Sequence, residues 1–135
     1  MRRGPIPLMM HAAIEPVAAI VLIASSWIFG FSSNGTAQAV TIVLAIVMLV
    51  AGALTDWRLS LVRLIPLPAH LATDLVIGAL LVISPFIFGF SSNGGATRFA
   101  IIFGALELVT ALSTRWEPEY DVTRMPRGSQ VQGAR

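Results

Sequence analysis

Two residue pairs able to do chemistry repeat one spacing: His11 with Glu15, and His70 with Asp74. Each reads His-x-x-x-acid, which on a helix sets imidazole and carboxylate one turn apart on the same face. If both faces point inward, two imidazoles and two carboxylates converge, a set that suits a divalent metal or a proton relay. Bis-histidine haem is another option, because the first and third helices of a four-helix bundle can lie diagonally. The same positions also have a plainer use. Both histidines fall where helices are expected to start, where polar side chains satisfy free backbone groups and nearby acids favour the helix dipole.

Glu107 is the other ionisable residue that stands out, alone inside an apolar stretch. An unpartnered carboxylate in a bilayer costs several kcal/mol, so it must be neutral, paired or facing water. Ala100, Gly104, Glu107 and Ala111 fall on one helical face, and small residues at that spacing let helices approach closely. The face is therefore expected to serve helix packing or a partner, with Glu107 pointing into protein. Three uses of Glu107 stay open: an acid hydrogen-bonded across a helix contact, a proton or cation site in transport, and a contact with another membrane protein. No catalytic residue is expected. Cysteine is absent, which removes disulfide and thiolate-metal chemistry, and neither a phosphate-binding glycine loop nor a Ser-His-Asp set with a soluble domain is visible. No enzyme activity, cofactor or nucleic-acid partner follows from these residues.

The elements that must hold these groups are helices in a lipid bilayer. Hydrophobic residues make up 56% of the chain and charged ones 12%, with a mean hydropathy of +0.80, too much apolar surface for a water-soluble body of this size. Apolar stretches cover residues 16–31, 36–55, 75–90 and 99–114, and about 20 helical residues span a hydrocarbon core of ~30 Å. The expected fold is all-α: an integral membrane protein of four helices. The first stretch reads as a retained helix and not as a secretory signal, since it runs long, holds Pro16, and is copied later in the chain.

Every basic residue is arginine. Arg2 and Arg3 precede the first helix, Arg58 and Arg63 lie in the middle connection, and Arg115, Arg124, Arg127 and Arg135 follow the fourth, with Arg98 alone on the other side. The positive-inside rule then puts both termini in the cytoplasm. With the arginine and alanine bias, this points to a bacterial cytoplasmic membrane.

Sliding the sequence by 59 residues aligns it with itself. His11 falls on His70, Glu15 on Asp74, Ser25 on Ser84, Ile42 on Ile101, Thr55 on Thr114 and Trp57 on Trp116, without a gap. Thr41, Ala45, Met48 and Gly52 are the mates of the Glu107 face, so Met48 stands where Glu107 breaks the symmetry. The copies are tandem two-helix units, related by a pseudo-two-fold axis along the membrane normal. The boundaries expected are an N-terminal segment 1–10, a first unit 11–58, an interfacial linker 59–69 with its arginines at lipid phosphates, a second unit 70–117, and a disordered tail 118–135.

The string FGFSSNG occurs in both units, at Phe29 to Gly35 and at Phe88 to Gly94. Gly30 and Gly89 can end a helix in the left-handed conformation, and Ser or Asn34 and Asn93 can cap the helix that follows. Phe29, Phe31, Phe88 and Phe90 would anchor in the outer interface. Just before each turn stand Ser25-Ser26-Trp27 and Ser84-Pro85-Phe86, which resemble the Ser-Pro-Trp motif of the SPW-repeat membrane proteins. The first copy lacks the proline and the second the tryptophan. The resemblance implies two-helix units with the motif late in the first helix, and it implies no catalytic residue. Pro85 favours a bend, and Ser84 is placed to satisfy the carbonyl that the proline leaves free. The expected function is that of an accessory or interaction subunit, associating through small-residue faces with itself or a larger membrane complex; the alternative is a small proton or cation conductor using intramembrane carboxylates.

Overall fold

The helices start and stop at residues chosen for that purpose. In the computed structural model, which describes residues 4–117, α1 spans Leu8–Ile28, α2 Gly35–Leu54, α3 Leu67–Ile87 and α4 Gly94–Ser113. Asn34 and Asn93 cap α2 and α4, their side-chain oxygens accepting from the N–H of Ala37 and Ala96 at 3.0 Å. Helices α1 and α3 follow Pro7 and Pro66, both extended. Gly30 and Gly89 share a φ of +74°, and the N–H of Phe31 and Phe90 reach back to the carbonyls of Ser26 and Pro85. This six-to-one bond across a left-handed glycine closes both helices identically. The charges of Arg2, Arg3, Arg124, Arg127 and Arg135, and the segment 118–135, lie outside the described residues.

All four helices are long and apolar enough to cross a membrane. They run up and down in turn, with α1 packed on α2, α3 on α4, and α2 on α3, while α1 touches α4 more lightly. The fold is an all-α membrane four-helix protein. Side chains such as Val17, Ile20, Val43, Ile46, Ile102 and Leu106 are exposed on the outside, where lipid is their solvent.

The interior has three layers. At the turn end Phe31 and Phe90 pack among Ala37, Ala96 and Ala100. In the middle Ala19, Leu22, Ala45, Met48, Ile77 and Leu81 form a dry plug. At the end holding residues 4 and 117, Leu8, Ala12, Trp57, Leu67 and Trp116 close the bundle. Two expectations change here. Phe31 and Phe90 are buried at 1% and 2% exposure, so only Phe29 and Phe88, at 52% and 51%, are free to anchor in the interface; the left-handed glycine swings the next residue back over the bundle. The small-residue faces are also used within the chain. Thr41, Ala45, Met48, Ala100, Gly104 and Ala111 are buried in the bundle, and a Cβ on Gly104 would stand 2.6 Å from the Gly78 carbonyl oxygen. These faces bring the chain's own helices together and are not open to a partner.

The segment between α2 and α3 leaves Leu61 and Leu64 exposed. It folds back on α2, with Leu61 N–H donating to the Ala53 carbonyl, Leu64 and Ile65 N–H to that of Leu54, and Thr55 pairing with Ile65 as an isolated parallel bridge. Arg63 meets Asp56 at 3.6 Å on the surface. Ile6 makes the same bridge to Thr114. Since 6 and 65, like 55 and 114, differ by 59, the structural repeat starts at Ile6-Pro7-Leu8 and Ile65-Pro66-Leu67, upstream of both histidines. Helix α3 thus begins inside the segment expected as linker.

Candidate functional site

His11 and His70 are each the fourth residue of their helix, and Glu15 and Asp74 lie one turn further on. All four side chains point into the bundle and are buried. They meet. His70 Nε2 lies 3.1 Å from Glu15 Oε2 and 3.2 Å from Asp74 Oδ1. His11 Nε2 lies 3.2 Å from Asp74 Oδ2 and 4.0 Å from Glu15 Oε2. Asp74 therefore bridges the two imidazoles with its two oxygens, and each repeat contributes one histidine and one acid.

The opposite ring nitrogens are held by threonines that follow the partner helices. Thr55 Oγ1 lies 2.6 Å from His70 Nδ1 and Thr114 Oγ1 2.9 Å from His11 Nδ1. The tautomer follows from hydrogen counting. Each hydroxyl has one hydrogen and gives it to a carbonyl, Thr55 to Ala51 at 2.6 Å and Thr114 to Thr110 at 2.7 Å, so each threonine oxygen can only accept, and each Nδ1 must donate. Both Nε2 atoms are left facing carboxylate oxygens, with no hydrogen-bond geometry satisfied at either Nε2 or at any oxygen of Glu15 and Asp74. At these distances in the interior each Nε2 and the carboxylate oxygens facing it need positive charge between them, supplied by a proton on the ring or by a cation.

Two tryptophans roof the cluster. Trp57 lies 4.5 Å from the His70 ring and Trp116 4.9 Å from the His11 ring, centroid to centroid. Their indole N–H groups donate to the carbonyls of Gly52 and Ala111, also mates in the repeat. Below Trp57 a cavity of about 200 Å³ reaches Glu15 between α1 and α2, bordered by Gly52 and Met48. In the sequence Thr55, Thr114, Trp57 and Trp116 are matched positions at the 59-residue offset, and that coincidence is the signal for the site.

The capping role expected for the histidines does not hold. Neither α1 nor α3 has a side-chain cap, and the imidazoles turn inward because Thr and Trp at the ends of α2 and α4 receive them. Haem does not fit either, because Asp74 fills the space between the two Nε2 atoms where a macrocycle would lie. Glu107 is 9% exposed and faces the interior. It lies within electrostatic reach of Asp74, Glu15 and His70 but stands outside the quartet, one turn deeper in α4 than Ala111.

The family model described as SPW repeat domain matches residues 9–114. The chain belongs to the SPW-repeat family. No curated protein and no solved structure matches it. In this SPW-repeat protein the motif has a local task. Pro85 has no N–H for the carbonyl four residues back, that of Leu81, and Ser84 Oγ donates to that carbonyl at 2.8 Å. In the first copy Ser25 bonds the Leu22 carbonyl at 2.7 Å, while Ser26, standing where the proline would be, accepts from Gln38 Nε2 at 3.1 Å. The third motif residues, Trp27 and Phe86, face outward. The SPW residues thus shape the turn end of the bundle, and the His-acid quartet occupies the opposite end.

Proposed function

We propose that the protein is a non-enzymatic accessory subunit of a bacterial cytoplasmic membrane, with residues 4 and 117 on the cytoplasmic side, which associates with itself or with a larger membrane complex. One observation carries this preference over conduction. The inward-facing ionisable groups gather toward one end, and between them and the turns lies the plug of Leu22, Met48, Ile77 and Leu81. On the far side the hydroxyls of Thr41, Ser25 and Ser84 donate to the carbonyls of Gln38, Leu22 and Leu81 in their own helices, and Ser26 is held by Gln38. A conductor needs a polar track from face to face, and among the described residues the apolar plug interrupts one.

Since the small-residue faces are spent inside the bundle, association would use outward surfaces, chiefly the paired aromatics Trp27, Phe29, Phe86 and Phe88 near the turns. The test is the native mass of the protein extracted gently from its own membrane, with co-purifying chains identified. A stoichiometric partner or a defined self-oligomer is expected. A lone monomer, together with proton flux in vesicles that Glu107→Gln abolishes, would replace this reading with the conductor.

A further inference from the structure

We infer that His11, His70, Asp74 and Glu15 hold one divalent transition-metal ion, zinc by ligand type, which clasps the two repeats. This stands on the quartet alone and is independent of any accessory role. His11, His70 and Asp74 each offer a ligand atom, all within 4.8 Å of one another. Glu15 Oε2, 3.1 Å from His70 Nε2 and 4.0 Å from His11 Nε2, is the fourth donor within reach and would be drawn in on binding. A tetrahedral site with ligand bonds of about 2.1 Å has ligand-to-ligand edges of about 3.4 Å. The nitrogen-to-oxygen contacts here run from 3.1 to 4.0 Å and involve both oxygens of Asp74, so the two carboxylates must turn and close in to give an ion one tetrahedral set.

Charge and ligand type agree with the geometry. Two carboxylates balance a dication once it displaces any proton held at Nε2, and imidazole nitrogen with few oxygens selects zinc-like metals over magnesium or calcium. The outer shell is also that of a metal site: both histidines donate Nδ1–H to a fixed acceptor, which orients the ring and sets its tautomer. The cavity beside Glu15 supplies a way in. Four protein ligands under two tryptophans leave no position for substrate, so the ion's role is structural.

The experiment uses the full chain in mild detergent, prepared metal-free and titrated with Co²⁺ and then with Zn²⁺. The expected result is about one Co²⁺ per chain with the strong visible absorption of a four-coordinate site, displaced by Zn²⁺, and about one zinc per chain in protein isolated from zinc-supplied cells. Asp74→Asn with Glu15→Gln should abolish uptake, and Thr55→Val, which keeps all four ligands, should weaken it about 10- to 100-fold. Wild-type protein that is folded yet takes up neither ion would overturn the inference and leave protons alone in the cluster. Binding unchanged by Asp74→Asn with Glu15→Gln would overturn it equally, as adventitious.

Discussion

Glu15 Oε1 lies 3.1 Å from the point where a Cβ on Gly52 would stand. In the other repeat the shorter Asp74 is matched with Ala111, which carries that Cβ. The longer acid and the missing methyl occur together, so the two halves of the quartet are the same size although their residues differ. Gly52→Ala should therefore press Glu15 out of register, and Glu15→Asp in the same chain should relieve it. Unfolding in detergent, measured as a double-mutant cycle, is expected to give a coupling energy of about 0.5–3 kcal/mol between the two sites; additivity would show that the size match has no consequence.

Thr55 and Thr114 are expected to matter for stability as well as for orientation. Replacing either by valine keeps the shape and leaves an imidazole N–H buried without an acceptor, at a cost of about 1–3 kcal/mol. Serine should restore most of it, since the hydroxyl is what His70 and His11 use. Thermal melts of the three variants at each position check this.

The two motif serines should differ in weight. Ser84 is the partner placed on the Leu81 carbonyl, which Pro85 cannot serve, so Ser84→Ala should cost about 1–3 kcal/mol. Ser25→Ala should cost less, because Ser26 retains an N–H for the Leu22 carbonyl within the helix. Equal losses in a melt of the two variants would contradict this account of the proline.

At the turns, Gly30→Ala or Gly89→Ala forces a side chain into a left-handed position, at about 1–2 kcal/mol each. Asn34→Ala and Asn93→Ala remove the caps of α2 and α4, at about 0.5–2 kcal/mol each. Neither pair touches the quartet, so metal uptake in folded protein should be unchanged by all four substitutions.

Much of this was legible in the residues. The 59-residue offset fixes two like units, the length of the apolar stretches gives four spans, and FGFSSNG spells a helix stop, a left-handed glycine and an Asn cap. The His-acid spacing placed each pair on one face. It could not say which way that face turned, because rotation about a helix axis is set by neighbours distant in sequence, here Thr55 for His70 and Thr114 for His11. Glu107 drew notice as the odd charge in an apolar run, whereas the convergent groups sit nearer the helix starts, where polar residues look unexceptional. The fate of Phe31 and Phe90 was likewise hidden. Two phenylalanines flanking a glycine look equivalent until the left-handed turn sends one inward and leaves the other outside.

Ile6 does for the second unit what Ile65 does for the first, pairing beside Thr114 as Ile65 pairs beside Thr55. At this end of the bundle each hairpin gives the other the same bridge, the same threonine and a like His-acid pair. Each hairpin carries half of every such contact, so the fit between the halves rests on the repeat itself and is kept where the residues differ, as at Gly52, Ala111 and Glu107.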